Sequence, residues 1–364
     1  MALDRLFRPF AAGRLTLSNR LVMAPMTRTF SPGGVPGEDV AAYYRRRAEG
    51  GVGLIITEGV SIDHPAAVSH AAIPHFFGQE ALDGWRRVLR EVHGAGGKIF
   101  PQLWHVGAAR KPGDLPNPDA EPVSPSGLFA PDQPRGRTLS VAEIEAIVQA
   151  YAAAAGQAED MGFDGVELHF AHGYLTDQFF WRPTNTRSDS YGQRRTLFAE
   201  EIIRACRQEV GPDFPICVRF SQWKQQEYDA RIAEAPQELE AFLAPLADAG
   251  VDIFHCSTRR FWAPEFAGSD LNLAGWTKKL TGRATITVGS VGLNEEFLVT
   301  RLGASSDNDR SRLYELESRM EREEFDLVAV GRALLIDPQW GRKLREGRFE
   351  EMVAYDKSAM ATLS

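Results

Sequence analysis

The chain has 364 residues, 43% hydrophobic and 25% charged, the balance of an ordinary globular protein. A chain of that length buries roughly three quarters of its unfolded surface, so it needs neither disulfides nor a structural metal, and one α/β barrel accommodates it as readily as two smaller domains. Lys plus Arg number 41 against 49 Asp plus Glu, a net charge of −8, which argues against nucleic acid or an anionic membrane as the main partner.

The chain opens Met1-Ala-Leu-Asp4-Arg5, an early acid with no long apolar run, so no signal peptide is expected. No uncharged stretch approaches membrane-spanning length. Residues 1–19 precede the first strand and are expected to close the face opposite the active one. Leu21–Met26 is the first strand candidate. A repeating unit then sets in: a helix-like segment ends near glycine, and a short apolar run follows. Gly51-Val-Gly-Leu-Ile-Ile-Thr57 and Gly97-Lys-Ile-Phe-Pro-Gln-Leu103 are the next two examples. Glycine ends a helix in the left-handed conformation without a Cβ clash, and runs apolar on both faces suit parallel strands covered by helices. Residues 106–137 hold seven prolines and little periodicity. Val141–Met161 is the clearest helix, with Ser140 and Glu143 forming a capping box and Ile144, Ile147, Val148, Tyr151, Ala155 and Ala158 on one face. Gly162–Leu168 and Phe214–Phe220 are strand-like. A helix over 237–249 follows, with Pro245 expected to kink it. Gly250–Cys256, Ala284–Gly289 and Phe325–Gly331 complete the strand set. Between them lie a long loop, 258–276, and a charged segment, 305–322. In the latter, Leu313, Leu316 and Met320 mark a solvated outer helix.

Eight strands, centred near 23, 55, 101, 166, 217, 254, 287 and 328, alternate with helices. That pattern predicts a (β/α)₈ TIM barrel, a single domain over 1–364 with 106–137 and 258–276 as capping loops on its C-terminal face. A doubly wound sheet is the runner-up, but Thr27-Arg-Thr-Phe-Ser-Pro-Gly-Gly34 follows the first strand where a GxGxxG would stand. Cys206, in a helix, and Cys217 and Cys256, in strands, form no CxxC and read as buried inert thiols in a reducing cytoplasm.

In such a barrel, chemistry sits at the strand ends. Gly289-Ser290 and Gly331-Arg332 end the seventh and eighth strands, where glycine lets backbone N–H groups approach a phosphate and arginine adds a charged fork. His169-Phe-Ala-His172-Gly-Tyr174 is the densest cluster of functional groups. Neutral imidazoles there would donate hydrogen bonds to a substrate oxygen beside Tyr174 as a proton source. Alternatively, these polar rings merely satisfy a strand end, or Glu167, His169, His172 and His255 hold a metal, although HExxH is absent. Arg219 ends an apolar strand and must be paired or face an anion. Gln102 presents a buried amide that needs several partners. No strand end carries a lysine placed for Schiff-base chemistry.

Met23-Ala-Pro-Met-Thr-Arg28, Ile55-Ile-Thr-Glu-Gly59, Gln102-Leu-Trp-His105, His169-Phe-Ala-His-Gly-Tyr-Leu-Thr-Asp-Gln178 and Val330-Gly-Arg332 together resemble the Old Yellow Enzyme family of FMN-dependent ene-reductases, in its classical-like branch. The likeness runs from about Leu6 to Gly347 in the family's order. It departs from the family's pattern at Gln193-Arg194-Arg195, where a Gly-Ser-x-x-Asn-Arg stretch is usual. The resemblance implies bound FMN, with its phosphate on Gly289, Ser290, Gly331 and Arg332. Pro25, Met26 and Gly59 would line the isoalloxazine, Gln102 would meet the pyrimidine edge, Arg219 would lie beside N1 and the C2 carbonyl, and Thr27 would bond the C4 carbonyl. NADPH or NADH would supply hydride transiently. An activated alkene (an α,β-unsaturated carbonyl, nitroalkene or maleimide) would then bind through His169 and His172, walled by Trp104, and Tyr174 would protonate its α-carbon. Phenolic ligands would bind at the same pair. A cytoplasmic location is expected from the cysteines and the chain's start, as a monomer or homodimer. The competing functions are a metal-dependent barrel hydrolase or lyase, and a non-catalytic barrel binding a phosphorylated ligand.

Overall fold

A computed structural model of the chain describes residues 3–296, 300 and 305–364. Eight parallel strands close into a barrel in chain order: β1 (Leu21–Met23), β2 (Leu54–Ser61), β3 (Lys98–Trp104), β4 (Val166–His169), β5 (Ile216–Phe220), β6 (Ile253–Ser257), β7 (Ala284–Val288) and β8 (Leu327–Val330). The seam is the pairing of β8 with β1, where Val328, Ala329 and Val330 stand opposite Leu21, Val22 and Met23. Every strand centre expected from the sequence falls within one of these strands, and the closed ring rules out the doubly wound sheet.

Alternation along each strand sorts residues to two sides. Val166, Leu168, Val218, Phe254 and Val328 pack outward under the helices. Val22, Leu54, Ile56, Phe100, Cys217, Ile253, Ile286 and Leu327 fill the barrel interior. Phe10, Leu15 and Leu17 join that inner cluster from an antiparallel hairpin, Phe10–Ala12 with Leu15–Leu17. The N-terminal segment therefore stoppers one end, as expected, and its first two residues lie outside the described ones. Ligand access is left to the opposite end, where the strands finish.

The helix Val141–Met161 has the capping box read from the sequence. Ser140 Oγ accepts from the Glu143 N–H at 3.3 Å, and Glu143 Oε2 accepts from the Ser140 N–H at 2.9 Å. Its expected apolar face is buried. The helix Pro236–Ala249 continues through Pro245 as one element. Leu313, Leu316 and Met320 are the buried face of Arg310–Glu321. Segment 106–137 is ordered by short pairings, Val123–Ser124 with Arg137–Thr138 and Leu128–Ala130 with Gln133–Pro134. Arg110, wholly buried, donates to the carbonyls of Val68, Asp114, Asn117 and Ala120 and gathers that loop around itself. All three cysteines are free and buried. Burial pushes the Cys206 and Cys256 thiols up to about 12, so the reactive thiolate is disfavoured. No helix among the described residues is long and apolar enough to cross a membrane.

Candidate active site

A crevice of about 430 Å³ opens at the C-terminal ends of the strands, within the usual size range of small-molecule pockets. Pro25, Met26 and Thr27 enter it after β1, Gln102 and Trp104 from β3, and His169, His172 and Tyr174 from β4 and the turn beyond. Arg219 enters from β5, Gly289 and Ser290 after β7, and Gly331 and Arg332 after β8. Gly59 is the one expected site residue that does not reach the crevice wall. It lies beneath Trp104, where an added Cβ would fall 2.4 Å from Cε3 of the indole. Of the two long loops, 258–276 contributes Thr258 and Arg259, whereas 106–137 contributes nothing to the lining.

Strand register builds the floor. His169 pairs with Arg219 and Arg219 with His255, one inward row, and Gln102 pairs with Glu167 in the row below. Glu167 is fully buried, and its two oxygens accept from Gln102 Nε2 and meet His255 Nδ1, each at 2.7 Å. Burial alone would raise this carboxyl, but His255 first and then Arg219 hold it below its ordinary range, so it stays charged. Glu167 and His255 are thus engaged with their neighbours in the barrel. Among the described residues no three His, Cys, Asp or Glu side chains gather to hold a metal ion. Arg219 is buried, and its Nη2 donates to Ser257 Oγ at 3.3 Å while Nε has no partner in the protein. An unmet buried donor costs about 1–3 kcal/mol, so this N–H calls for an acceptor within the crevice. The electron-rich pyrimidine edge of a flavin is such an acceptor.

The imidazoles form one wall. The His169 and His172 rings lie 5.1 Å apart and near-perpendicular, and the Tyr174 ring lies 5.1 Å from His169. Burial and the Arg219 charge hold both imidazoles well below the ordinary histidine range, so both are neutral. His169 Nδ1 accepts from the Ala171 N–H at 3.3 Å, which puts its proton on Nε2, a donor. His172 Nε2 lies 2.8 Å from Ser257 Oγ. Trp104 packs edge-on against Tyr174 at 4.8 Å and stacks on His169 at 5.9 Å.

The far end holds the residues expected to form a phosphate cradle. Gly289 (φ 143°) is followed by Ser290 (φ 51°), so the chain turns sharply after β7. A Cβ at Gly289 would meet Thr258 Oγ1 at 2.7 Å, so the neighbouring loop alone already requires glycine there. Arg332 Nη2 donates to Ser290 Oγ at 3.0 Å and to the Glu295 carbonyl at 2.7 Å, which brings the two predicted strand ends together. Ser290 Oγ donates to the Arg259 and Glu295 carbonyls at 3.0 and 3.1 Å, so this end offers a phosphate the Arg332 charge and the backbone of a glycine turn, and the unmet Arg219 donor lies at the other end. The residues present therefore fit FMN.

Several wall residues escaped sequence reasoning, Trp223, Gln225, Tyr355 and Met360 among them. Trp223 and Gln225 follow β5, and Trp223 stacks on His172 at 4.5 Å while Gln225 Nε2 donates to the Tyr174 oxygen at 2.8 Å. An aromatic four residues beyond Arg219, just past a strand end, was the available signal. Tyr355 and Met360 also line the crevice: Tyr355 exchanges backbone hydrogen bonds with Ser306, and Arg28 Nη2 donates to the Ala359 carbonyl, next to Met360, at 3.1 Å. That C-terminal stretch lies beyond the recognisable motifs and has no periodicity. Glu58, assigned no role from sequence, is an omission of a different kind. Its Oε2 accepts from the Arg28 and Thr29 N–H groups at 2.8 and 3.2 Å, fixing the loop that carries Pro25, Met26 and Thr27.

The NADH:flavin oxidoreductase / NADH oxidase family model, Oxidored_FMN, matches residues 5–305. An NADH oxidase of Thermoanaerobacter brockii is 35% identical over 362 residues, which are 95% of this chain and 52% of that protein. 12-Oxophytodienoate reductase 7 of Oryza sativa subsp. japonica is 40% identical over 232 residues, 59% of this chain and 58% of the reductase. The chain thus spans little more than half the length of these two relatives. A structure of morphinone reductase in complex with tetrahydroNAD superposes with a TM-score of 0.81 at 28% identity, covering 98% of this chain and 93% of that one. On the match across most of its length, the chain belongs to the NADH:flavin oxidoreductase / NADH oxidase family, the Old Yellow Enzyme family its motifs resemble, and its cofactor is FMN.

Proposed function

We propose that the chain is an ene-reductase that uses NADPH or NADH to reduce activated alkenes (α,β-unsaturated carbonyls, nitroalkenes or maleimides), with residues 1–364 acting as one FMN-binding barrel in the cytoplasm, monomeric or dimeric. The relatives' names support the class: an NADH oxidase, an oxophytodienoate reductase and a morphinone reductase. FMN, when bound, supplies the hydride that it has taken from the nicotinamide. His169 and His172 donate hydrogen bonds to the substrate's carbonyl oxygen and draw charge toward it, which makes the β-carbon electrophilic. Tyr174 delivers a proton to the α-carbon, and the Gln225 N–H on its oxygen stabilises the phenolate left behind. Trp104 and Trp223 flank the slot and keep a planar ligand against the imidazoles. Arg219 would meet the pyrimidine edge, where its positive charge would favour the reduced flavin. Thr27 would bond the C4 carbonyl, Pro25 and Met26 would line the isoalloxazine, and Ser290, Gly289, Gly331 and Arg332 would hold the FMN phosphate.

The observation that carries this reading is the convergence of two neutral imidazoles and a phenol, their rings 5.1 Å apart, on a crevice that also holds a buried arginine with an unmet N–H. The test is direct. Purified protein should be yellow and release FMN on acid treatment. NADPH or NADH should bleach it without oxygen, and 2-cyclohexenone should restore the colour with formation of cyclohexanone. A colourless protein, or colour that the enone does not restore, would refute the assignment.

A further inference from the structure

The short helix Leu175–Phe180, which follows the turn after β4, and the loop after β5 are joined by a charged pair that the chemistry above leaves unused. Asp177 and Lys224 are both wholly buried, with Lys224 Nζ 2.7 Å from Asp177 Oδ1 and 3.2 Å from the Ser221 carbonyl. The second carboxylate oxygen, Oδ2, accepts from the Gly173 N–H at 2.7 Å. Gly173 stands between His172 and Tyr174, and the chain is left-handed at both His172 (φ 67°) and Gly173 (φ 78°). A side-chain-bearing residue persists in that region only where its surroundings over-determine it.

Here the surroundings are the loop itself. His172 N–H donates to Ser221 Oγ at 3.0 Å, Gln225 N–H to the His172 carbonyl at 3.3 Å, and Gln226 Nε2 to the Gly173 carbonyl at 2.9 Å. His172 and Lys224 are also bridge partners in parallel orientation. The same loop carries Trp223 against the His172 ring. A buried ion pair is a poor source of net stability, because desolvation offsets most of the attraction, and an apolar pair of similar size often serves as well. What an apolar pair cannot supply is an acceptor for the Gly173 N–H fixed in place by a cation on the loop.

Building on the ene-reductase reading above, we propose that the Lys224–Asp177 pair is a positioning device. It latches the β5 loop onto the β4 turn and so sets where the His172 ring stands relative to His169 and Trp223, which fixes the slot that grips a ligand oxygen. Neither residue touches the ligand; both act through His172.

The test uses flavin-loaded protein, with 4-chlorophenol as the probe. Its dissociation constant is read from the long-wavelength band that a phenol produces over flavin, and melting temperature and flavin content are measured alongside. Lys224→Met is expected to weaken phenol binding tenfold or more at unchanged flavin content, and to lower the melting temperature by stranding Asp177. Lys224→Met with Asp177→Asn removes the stranded charge. It should recover much of the melting temperature but not the phenol affinity. Lys224→Arg, which keeps the charge, should retain more affinity than Lys224→Met. A double variant that binds 4-chlorophenol like wild type would overturn the proposal, since the pair would then serve stability alone. A double variant that does not fold, or that loses flavin in step with phenol, would overturn it as well. The wild type and a His169→Ala/His172→Ala variant separate this from failure of the functional reading. If wild type does not bind the phenol, or binding survives loss of both imidazoles, the ene-reductase site is wrong before the latch is tested.

Discussion

Tyr174, the proposed proton donor, has its ring wedged against Trp104 and His169 and its oxygen held by Gln225. Tyr174→Phe keeps the ring and removes only the proton. Reduction of the flavin by NAD(P)H should then change little, while reoxidation by 2-cyclohexenone slows by about 10²–10⁴, the range for loss of a general acid. Anaerobic stopped flow resolves the two halves, and equal slowing of both would contradict the role. Glu58 gives a second prediction through pH. Burial pushes its carboxyl from 4.5 up to about 7, against the pull of the Arg28 and Thr29 N–H groups. Between those values the native state holds a proton that the unfolded chain has released, so stability drains away as pH rises through the window. Glu58→Gln still offers an acceptor to the two N–H groups and has no proton to lose. The variant should gain on wild type between about pH 5 and pH 7.5 in urea unfolding, and a pH-independent difference would place the shift elsewhere. His169, His172, Tyr174, Arg219 and Arg332 were legible because each is a polar residue at the end of an apolar run. Glu58 was not, because its role depends on which backbone N–H groups face it, and that is decided by a neighbouring strand.

Elements whose signals are local were readable from sequence, and those made by contact were not. The Val141–Met161 helix announces itself in Ser140, Glu143 and the spacing of its apolar residues, all within one stretch. In the fold an Arg137–Glu143 ion pair at 2.5 Å reinforces the same cap, and Glu143 is drawn down to about 2, chiefly by that pairing. Ser140→Ala removes the acceptor for the Glu143 N–H and should cost roughly 1 kcal/mol, seen as a lower urea midpoint at unchanged slope. A midpoint identical to wild type would mean the first turn is held from Arg137 alone. The short pairings within 106–137 and the Ser221–Tyr228 loop gave no such signal. The first are two- and three-residue strands whose partners lie across the loop. The second acquires its meaning only when β4 and β5 become neighbours and set Trp223 against His172.

Closure of the barrel makes one site from distant residues, and the count of alternating apolar runs was enough to foresee it. Ser290 and Arg332, 42 residues apart, touch because β7 and β8 are adjacent in the ring. The C-terminal stretch that brings Tyr355 and Met360 over the crevice is added after the last strand and follows no repeat, so nothing in the pattern foretold it. Because FMN binds the assembled barrel and not the unfolded chain, it should stabilise the whole molecule, by about 2.7 kcal/mol at a hundredfold excess over its dissociation constant. With the phosphate on Arg332, as proposed above, Arg332→Ala would remove a charge-assisted hydrogen bond, about 1.5–3 kcal/mol, which is roughly a ten- to hundredfold loss of affinity. The absolute melting temperature is a poor guide here, since Arg332 also ties Ser290 and the Glu295 carbonyl, so its loss should lower the melting point even without flavin. The informative quantity is the rise in melting temperature when FMN is added to flavin-stripped protein. That rise should be clearly smaller in Arg332→Ala than in wild type at equal FMN, with riboflavin, which lacks the phosphate, raising both proteins by the same small amount. An FMN-induced rise that survives the substitution in full would place the phosphate away from the ends of β7 and β8.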